Sequence, residues 1–209
     1  FNKSDIHEDL KKTVEQFNPD IIFWSALSSH IHGEGEYINI EYGHDLVSGI
    51  KNYKGLRICG GIQATANPEI TQTKYKNIDF LITGESELVL NNIAKCYPDL
   101  NEIKKLKGIS FHDKIQQKYI KTPRQDIIKD LDLVSPYDYS LFDEQVFLRP
   151  YNGKVLKAID YEISRGCIYT CSYCVETIIQ RYYGFKENNK NGTLLNFKNY
   201  LRNKSAKVI

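Results

Sequence analysis

The sequence predicts an α/β fold whose first half is a parallel sheet flanked by helices, and three observations carry that reading. Helical-period segments and strand-like segments alternate along residues 1–106 in the order α-β-α-β-α-β-α. The strand segments Asp20-Ile21-Ile22-Phe23-Trp24-Ser25-Ala26, Leu56-Arg57-Ile58-Cys59 and Asp79-Phe80-Leu81-Ile82 are largely apolar runs, the pattern of strands buried on both faces. Two of them run into glycine, the second into Gly60-Gly61 and the third into Thr83-Gly84. Such an order implies right-handed crossovers and a ligand site at the carboxyl ends of the strands.

Each element has its own local cause. From Ser4 to Phe17 a serine cap and an acidic first turn (Asp5, Glu8, Asp9) precede Leu10, Val14 and Phe17 at helical spacing, and Asn18-Pro19 ends the helix. A second helix is expected from Tyr37 to Tyr53, with Ile40, Leu46, Val47 and Ile50 inward and Gly55 as its stop. A third opens after Asn67-Pro68, and a fourth runs from Glu85 to Tyr97 with Leu88, Ile93 and Cys96 inward. Cys59 and Cys96 read as small core hydrophobes. After Lys107-Gly108, Ile109-Ser110-Phe111 and Lys118-Tyr119-Ile120-Lys121 flank a polar turn and predict a hairpin. The rest of residues 107–153 carries too many apolar and aromatic residues, Leu131, Leu133, Tyr137 and Phe142 among them, for a free linker. Lys154 to Ile163 then reads as one strand, with Val155, Leu156, Ala158, Ile159, Tyr161 and Ile163 apolar.

Composition sets outer bounds. With 209 residues, 41% hydrophobic content and a formal charge of +2, the chain suffices for one or two domains and is too balanced for nucleic-acid binding. No apolar run approaches a membrane span, and no segment reads as a signal peptide. Five cysteines, three of them clustered, suit a reducing, cytoplasmic setting and metal chemistry better than a disulfide framework. The absence of methionine, position 1 included, together with a helix approach at one end and a helix start at Ser205 to Ile209, reads as a fragment of a longer protein.

The three clustered cysteines lie in Ser164-Arg165-Gly166-Cys167-Ile168-Tyr169-Thr170-Cys171-Ser172-Tyr173-Cys174. Thiolates are soft ligands for iron–sulfur clusters and zinc, and this spacing lets one loop wrap one metal centre. A closed zinc site needs a fourth ligand, yet no Cys or His follows Cys174 and the nearest preceding His is His112. Three thiolates leave one position of a cubane cluster open.

The C-x3-C-x2-C run, with Tyr173 before the last cysteine and Ser164-Arg165-Gly166 before the first, resembles the radical S-adenosylmethionine (SAM) superfamily. That resemblance implies a 4Fe-4S cluster on Cys167, Cys171 and Cys174 and a SAM molecule on its open iron, cleaved reductively to a 5′-deoxyadenosyl radical. It places Tyr173 against the SAM adenine, and Lys154 to Ile163 as the first strand of a partial (β/α)6 TIM-type barrel. Residues 154–209 are then the N-terminal part of the radical SAM domain. Glu176, Arg181, Tyr182 and Tyr183 are candidates for the barrel mouth.

Upstream, Ser25-Ala26-Leu27 and Gly60-Gly61 resemble the Ser-x-Leu and Gly-Gly elements of cobalamin-binding domains, whose loops surround the nucleotide tail of the corrinoid. With Thr83-Gly84-Glu85 they give Ser25, Leu27, Gly60, Gly61, Gly84 and Glu85 as cobalamin contacts on a Rossmann-like, flavodoxin-like domain, residues 1–106. The Asp-x-His-x-x-Gly loop common in such domains does not occur in the sequence. His30 and His32 follow the first loop and read as solvated or capping residues.

The resemblance implies an enzyme with a 4Fe-4S cluster, SAM and cobalamin, transferring a methyl group to an unactivated centre of a small-molecule, natural-product or lipid-precursor substrate. An external flavodoxin- or ferredoxin-type electron donor is implied with it. Ring-forming or rearranging chemistry is an alternative within the same class, and a non-catalytic iron–sulfur or zinc binding module is one outside it.

Overall fold

The structure, a computed structural model, describes residues 5–26, 37–159, 161–188 and 191–208. Helix α1, Ile6–Phe17, is capped by Asp5, whose carboxylate accepts from the amides of His7 and Glu8; Ser4, the expected cap, lies outside the described residues. Leu10 and Val14 are half-buried, but Phe17 stays 79% exposed, so the helix rests lightly on its neighbours.

Strand β1, Ile21–Ser25, pairs in parallel with β2, Leu56–Gly60, and β2 with β3, Phe80–Ile82. Helix α2, Tyr37–Ser48, makes the first crossover, ending before the expected Tyr53. Helices α3, Ile62–Ala66, and α4, Pro68–Lys74, make the second. After β3 come α5, Glu87–Cys96, and α6, Leu100–Ile103. The expected hairpin forms as β4, Ile109–Asp113, and β5, Lys118–Lys121, and it joins the same sheet antiparallel to β3, in the order β1-β2-β3-β4-β5.

The period-2 alternation of strands divides the core as the apolar runs require. Leu56, Ile58, Phe80 and Ile82 face one layer with Val89, Ile93 and Ile103, while Cys59 and Leu81 face the other with Ile40 and Ala64. Burial pushes the Cys59 thiol up to about 12, as an inert core residue should be. The first strand departs from expectation: Ile21, Ile22, Phe23 and Trp24 are only half-buried, because β1 is the edge of the sheet among the described residues.

The second half is irregular. Strands β6, Leu148–Tyr151, and β7, Lys154–Lys157, form an exposed hairpin. This corrects the single strand expected from Lys154 to Ile163: only its first four residues are extended in a ladder. Val155, Leu156, Ile159 and Ile163 are 66%, 45%, 52% and 54% exposed. Strand β8, Ser164–Arg165, leads into the cysteine loop, and α7, Glu176–Tyr182, follows it. Strands β9, Glu187–Asn188, and β10, Thr193–Leu194, form a short ladder, and β11, Arg202–Asn203, pairs antiparallel with β8. Residues 206–208 form a turn where a helix start was expected. Tyr183, Leu194 and Tyr200 make a separate small core under this half. No helix among the described residues is long and apolar enough to cross a membrane.

Candidate functional site

Parallel pairing places the three predicted loops side by side. Ser25 registers with Gly60, and Cys59 with Leu81, so the chain leaves β1, β2 and β3 at one edge of the sheet. The loops are stitched together: the Ala26 amide donates to the Gly60 carbonyl at 2.8 Å, and the Gly84 amide to Thr65 Oγ1 at 2.9 Å. Gly61 has φ +93°, and a Cβ there would stand 2.5 Å from Ser25 Oγ and 3.0 Å from the Ala26 backbone. A Cβ on Gly60 would meet Ser86 Oγ at 2.7 Å and the Phe23 ring at 2.9 Å. The paired glycines are thus required by loop-on-loop packing. Leu27, His30 and His32 lie outside the described residues.

A cavity of about 680 Å³, within the range of small-molecule sites, opens over these strand ends. Ser25, Gly61, Gly84 and Glu85 line it from the sheet side, and Glu162, Arg165 and Gly166 from the segment that enters the cysteine loop. Of the residues expected at a mouth, Glu176 and Tyr183 also line it. Tyr182 instead packs on β3, its hydroxyl donating to the Thr83 carbonyl at 3.0 Å. Gly60 and the three cysteines stand outside the lining, although Cys167 directly follows Gly166.

All three clustered cysteines are half-buried free thiols on one loop. That donor set fits an iron–sulfur centre. Among the described residues no three His, Cys, Asp or Glu side chains stand in metal-binding geometry, so closing a centre requires this loop to tighten. The loop is anchored from behind by Gln180, 2% exposed, whose amide donates to the carbonyls of Cys167 at 3.0 Å and Tyr169 at 2.9 Å. The Tyr173 ring is 90% exposed and free to meet a ligand.

Charge is concentrated between the two halves. Glu85 Oε1 accepts from Arg202 Nη1 at 2.7 Å and Arg165 Nη1 at 3.3 Å, and its Oε2 from the Ile128 amide at 2.8 Å. Arg165 also binds Glu87 at 2.5 Å and Glu162. Burial alone would lower the Arg165 pKa, but the bonds to Glu87 and Glu162 outweigh it and hold the guanidinium charged. Tyr200, 1% exposed, donates to Glu176 at 2.5 Å; burial and that bond both raise its pKa. Gln180, Arg202 and Tyr200 were not singled out from sequence. Gln180 reaches Tyr169, Tyr200 reaches Glu176 and Arg202 reaches Glu85 across 11, 24 and 117 residues, separations that leave no local pattern.

The fold and the site define an α/β unit whose sheet edge opens into a cavity beside the segment that enters a three-cysteine loop. No protein-family model matches the chain. It is 26% identical over 187 residues to the anaerobic magnesium-protoporphyrin IX monomethyl ester cyclase of Cereibacter sphaeroides, covering 88% of this chain and 29% of that protein. It is 23% identical over 173 residues to an uncharacterized methyltransferase of Pyrococcus horikoshii, covering 81% of this chain and 34% of that protein. The chain therefore spans about a third of the length of these curated relatives. Among solved structures, the radical SAM methyltransferase TsrM from Kitasatospora setae, with cobalamin and a [4Fe-4S] cluster bound, matches with a TM-score of 0.55 and 16% identity. That match covers 84% of this chain and 34% of the other. The chain thus shares its fold with that methyltransferase over most of its length.

Proposed function

We propose that the intact protein is a cobalamin-dependent radical SAM enzyme. The observation that carries the reading is the single cavity whose walls include Ser25, Gly61 and Gly84 on one side and Gly166, the residue before Cys167, on the other. In this reading Cys167, Cys171 and Cys174 hold a 4Fe-4S cluster, Tyr173 lies against the SAM adenine, and Ser25, Leu27, Gly60, Gly61 and Gly84 surround cobalamin. Residues 1–106 form the cobalamin-binding unit, 107–153 the hairpin and connecting segment, and 154–209 the start of a partial (β/α)6 barrel.

When bound, the cluster supplies the electron that cleaves SAM and the corrinoid supplies a methyl carrier. This chain's own residues do the positioning. Gln180 fixes the carbonyls of Cys167 and Tyr169, which sets the entry of the cysteine loop. Arg165, held charged by its carboxylates, ties the entry of the cysteine loop to Glu85, in the loop after β3, and to Glu87, the first residue of α5. The half-buried Tyr182 and the buried Tyr183 cover the Thr83-Gly84-Glu85 loop: the Glu85 amide donates to the Tyr183 hydroxyl at 2.8 Å.

Methyl transfer to an unactivated centre of a small molecule is the reaction proposed, with a flavodoxin- or ferredoxin-type donor in a reducing cytoplasm. Ring closure is the second reading, favoured by the similarity to the cyclase of C. sphaeroides. Anaerobic reconstitution of the intact protein with iron, sulfide and cobalamin, followed by an assay for 5′-deoxyadenosine, tests the class. Formation of the nucleoside, abolished in Cys167→Ala, supports it; an intact cluster that leaves SAM uncleaved refutes it.

A further inference from the structure

We infer that Glu85 is a positioning residue that clamps the ribbon launching the cysteine loop onto the sheet, rather than a ligand contact. The inference rests on the proposed cofactor reading for its consequence but on geometry for its substance. Every polar atom of Glu85 is engaged by the second half of the chain or the connecting segment. Its amide donates to Tyr183, its carbonyl accepts from Gln125 at 2.5 Å, Oε2 accepts from the Ile128 amide, and Oε1 from Arg165 and Arg202.

Arg165 and Arg202 are direct cross-strand partners in the β8–β11 register. Two guanidinium groups opposite one another in a two-stranded ladder repel, and a two-residue ladder has no hydrogen-bonded reserve to absorb that. Arg165 has Glu87 and Glu162 to offset its charge, whereas among the described residues Glu85 is the carboxylate that reaches Arg202. With side chains 7% and 11% exposed, the Arg202–Glu85 pair is shielded from solvent, and removing one partner leaves the other charge buried. Strand β8 is followed at once by Gly166 and Cys167. The Glu85 carboxylate, in the loop after β3, therefore sets where the cysteine loop begins and, beside the Arg165–Glu87 pair, couples the sheet-edge site to the loop.

The test compares wild type, Glu85→Gln and Glu85→Asp in the intact protein. In the cofactor-free state, hydrogen exchange of residues 161–175 is expected to quicken roughly tenfold in Glu85→Gln while β2 and β3 keep their protection. Glu85→Asp restores part of it. In the anaerobically reconstituted protein, Glu85→Gln is expected to keep its cobalamin affinity within about twofold and its iron content. Its rate of 5′-deoxyadenosine formation falls roughly tenfold at saturating SAM. Unchanged exchange in the loop would overturn the clamp, and lost cobalamin affinity with an unchanged loop would make Glu85 a ligand contact instead. Should wild type neither bind cobalamin nor cleave SAM, the cofactor reading fails, and the exchange arm still decides the clamp.

Discussion

Gln180 holds Cys167 from behind: its buried carboxamide donates to the Cys167 carbonyl at 3.0 Å and, through the same nitrogen, to Tyr169 at 2.9 Å. Helix α7 follows the cysteine loop and thereby braces the loop's own entry. Replacing Gln180 with Ala orphans two carbonyls, each at a cost of about 1–3 kcal/mol if they stay buried. The expected result is less iron retained after anaerobic reconstitution and a lower unfolding midpoint. Gln180→Glu, which cannot donate at neutral pH, should be at least as damaging.

Gly61 and Gly43 make a matched pair of tests. A Cβ on Gly61 collides with Ser25 and Ala26 at a φ of +93°, whereas one on Gly43, within α2, meets nothing within 4 Å. Gly61→Ala should destabilise by about 1–2 kcal/mol or more. Gly43→Ala should stabilise by about 0.5–1 kcal/mol through helix propensity alone. Thermal unfolding of the two variants measures both.

His44 predicts an acid-sensitive fold. It is fully buried, accepts from Trp24 Nε1 at Nδ1 (3.3 Å), sits 3.1 Å from Gln63 Oε1 at Nε2, and stacks on Tyr75 at 3.6 Å. Burial is the main cause lowering its pKa, opposed in part by the hydrogen bond to Gln63. A lowered folded pKa means the unfolded chain binds the proton first, so stability is intact above the ordinary value of 6.5 and declines as pH falls below it toward the folded pKa. His44→Gln should flatten the fall in denaturation midpoint that wild type shows across that window. An equal slope in both proteins would contradict it.

Tyr173 separates ligand binding from folding. Because its ring is 90% exposed, Tyr173→Ala should shift stability by no more than about 0.5 kcal/mol and leave iron content unchanged. The proposed adenine contact predicts a raised KM for SAM in the same variant.

The sequence made the sheet legible because β2 and β3 bury both faces, which forces near-continuous apolar runs ending at glycine. The convergence of Ser25, Gly61 and Gly84 followed from strand order alone. Lys154 to Ile163 misled for the same reason: its apolar residues mimic a buried strand, yet they stand exposed on a hairpin and the segment after it. The role of Glu85 was hidden because its partners come from Arg165 and Arg202, 80 and 117 residues away, and one loop carboxylate carries no mark of what it will meet. Gln180 likewise reads as an ordinary helix residue until the fold shows which carbonyls it faces.

One cavity brings the segment that enters the cysteine loop and the sheet-edge loops together. Pulsed electron paramagnetic resonance on the intact protein, loaded with both the reduced cluster and cob(II)alamin, tests it most directly. Magnetic coupling between the two centres is expected, and it disappears in Cys167→Ala. Two fully loaded centres giving independent, uncoupled signals would contradict it.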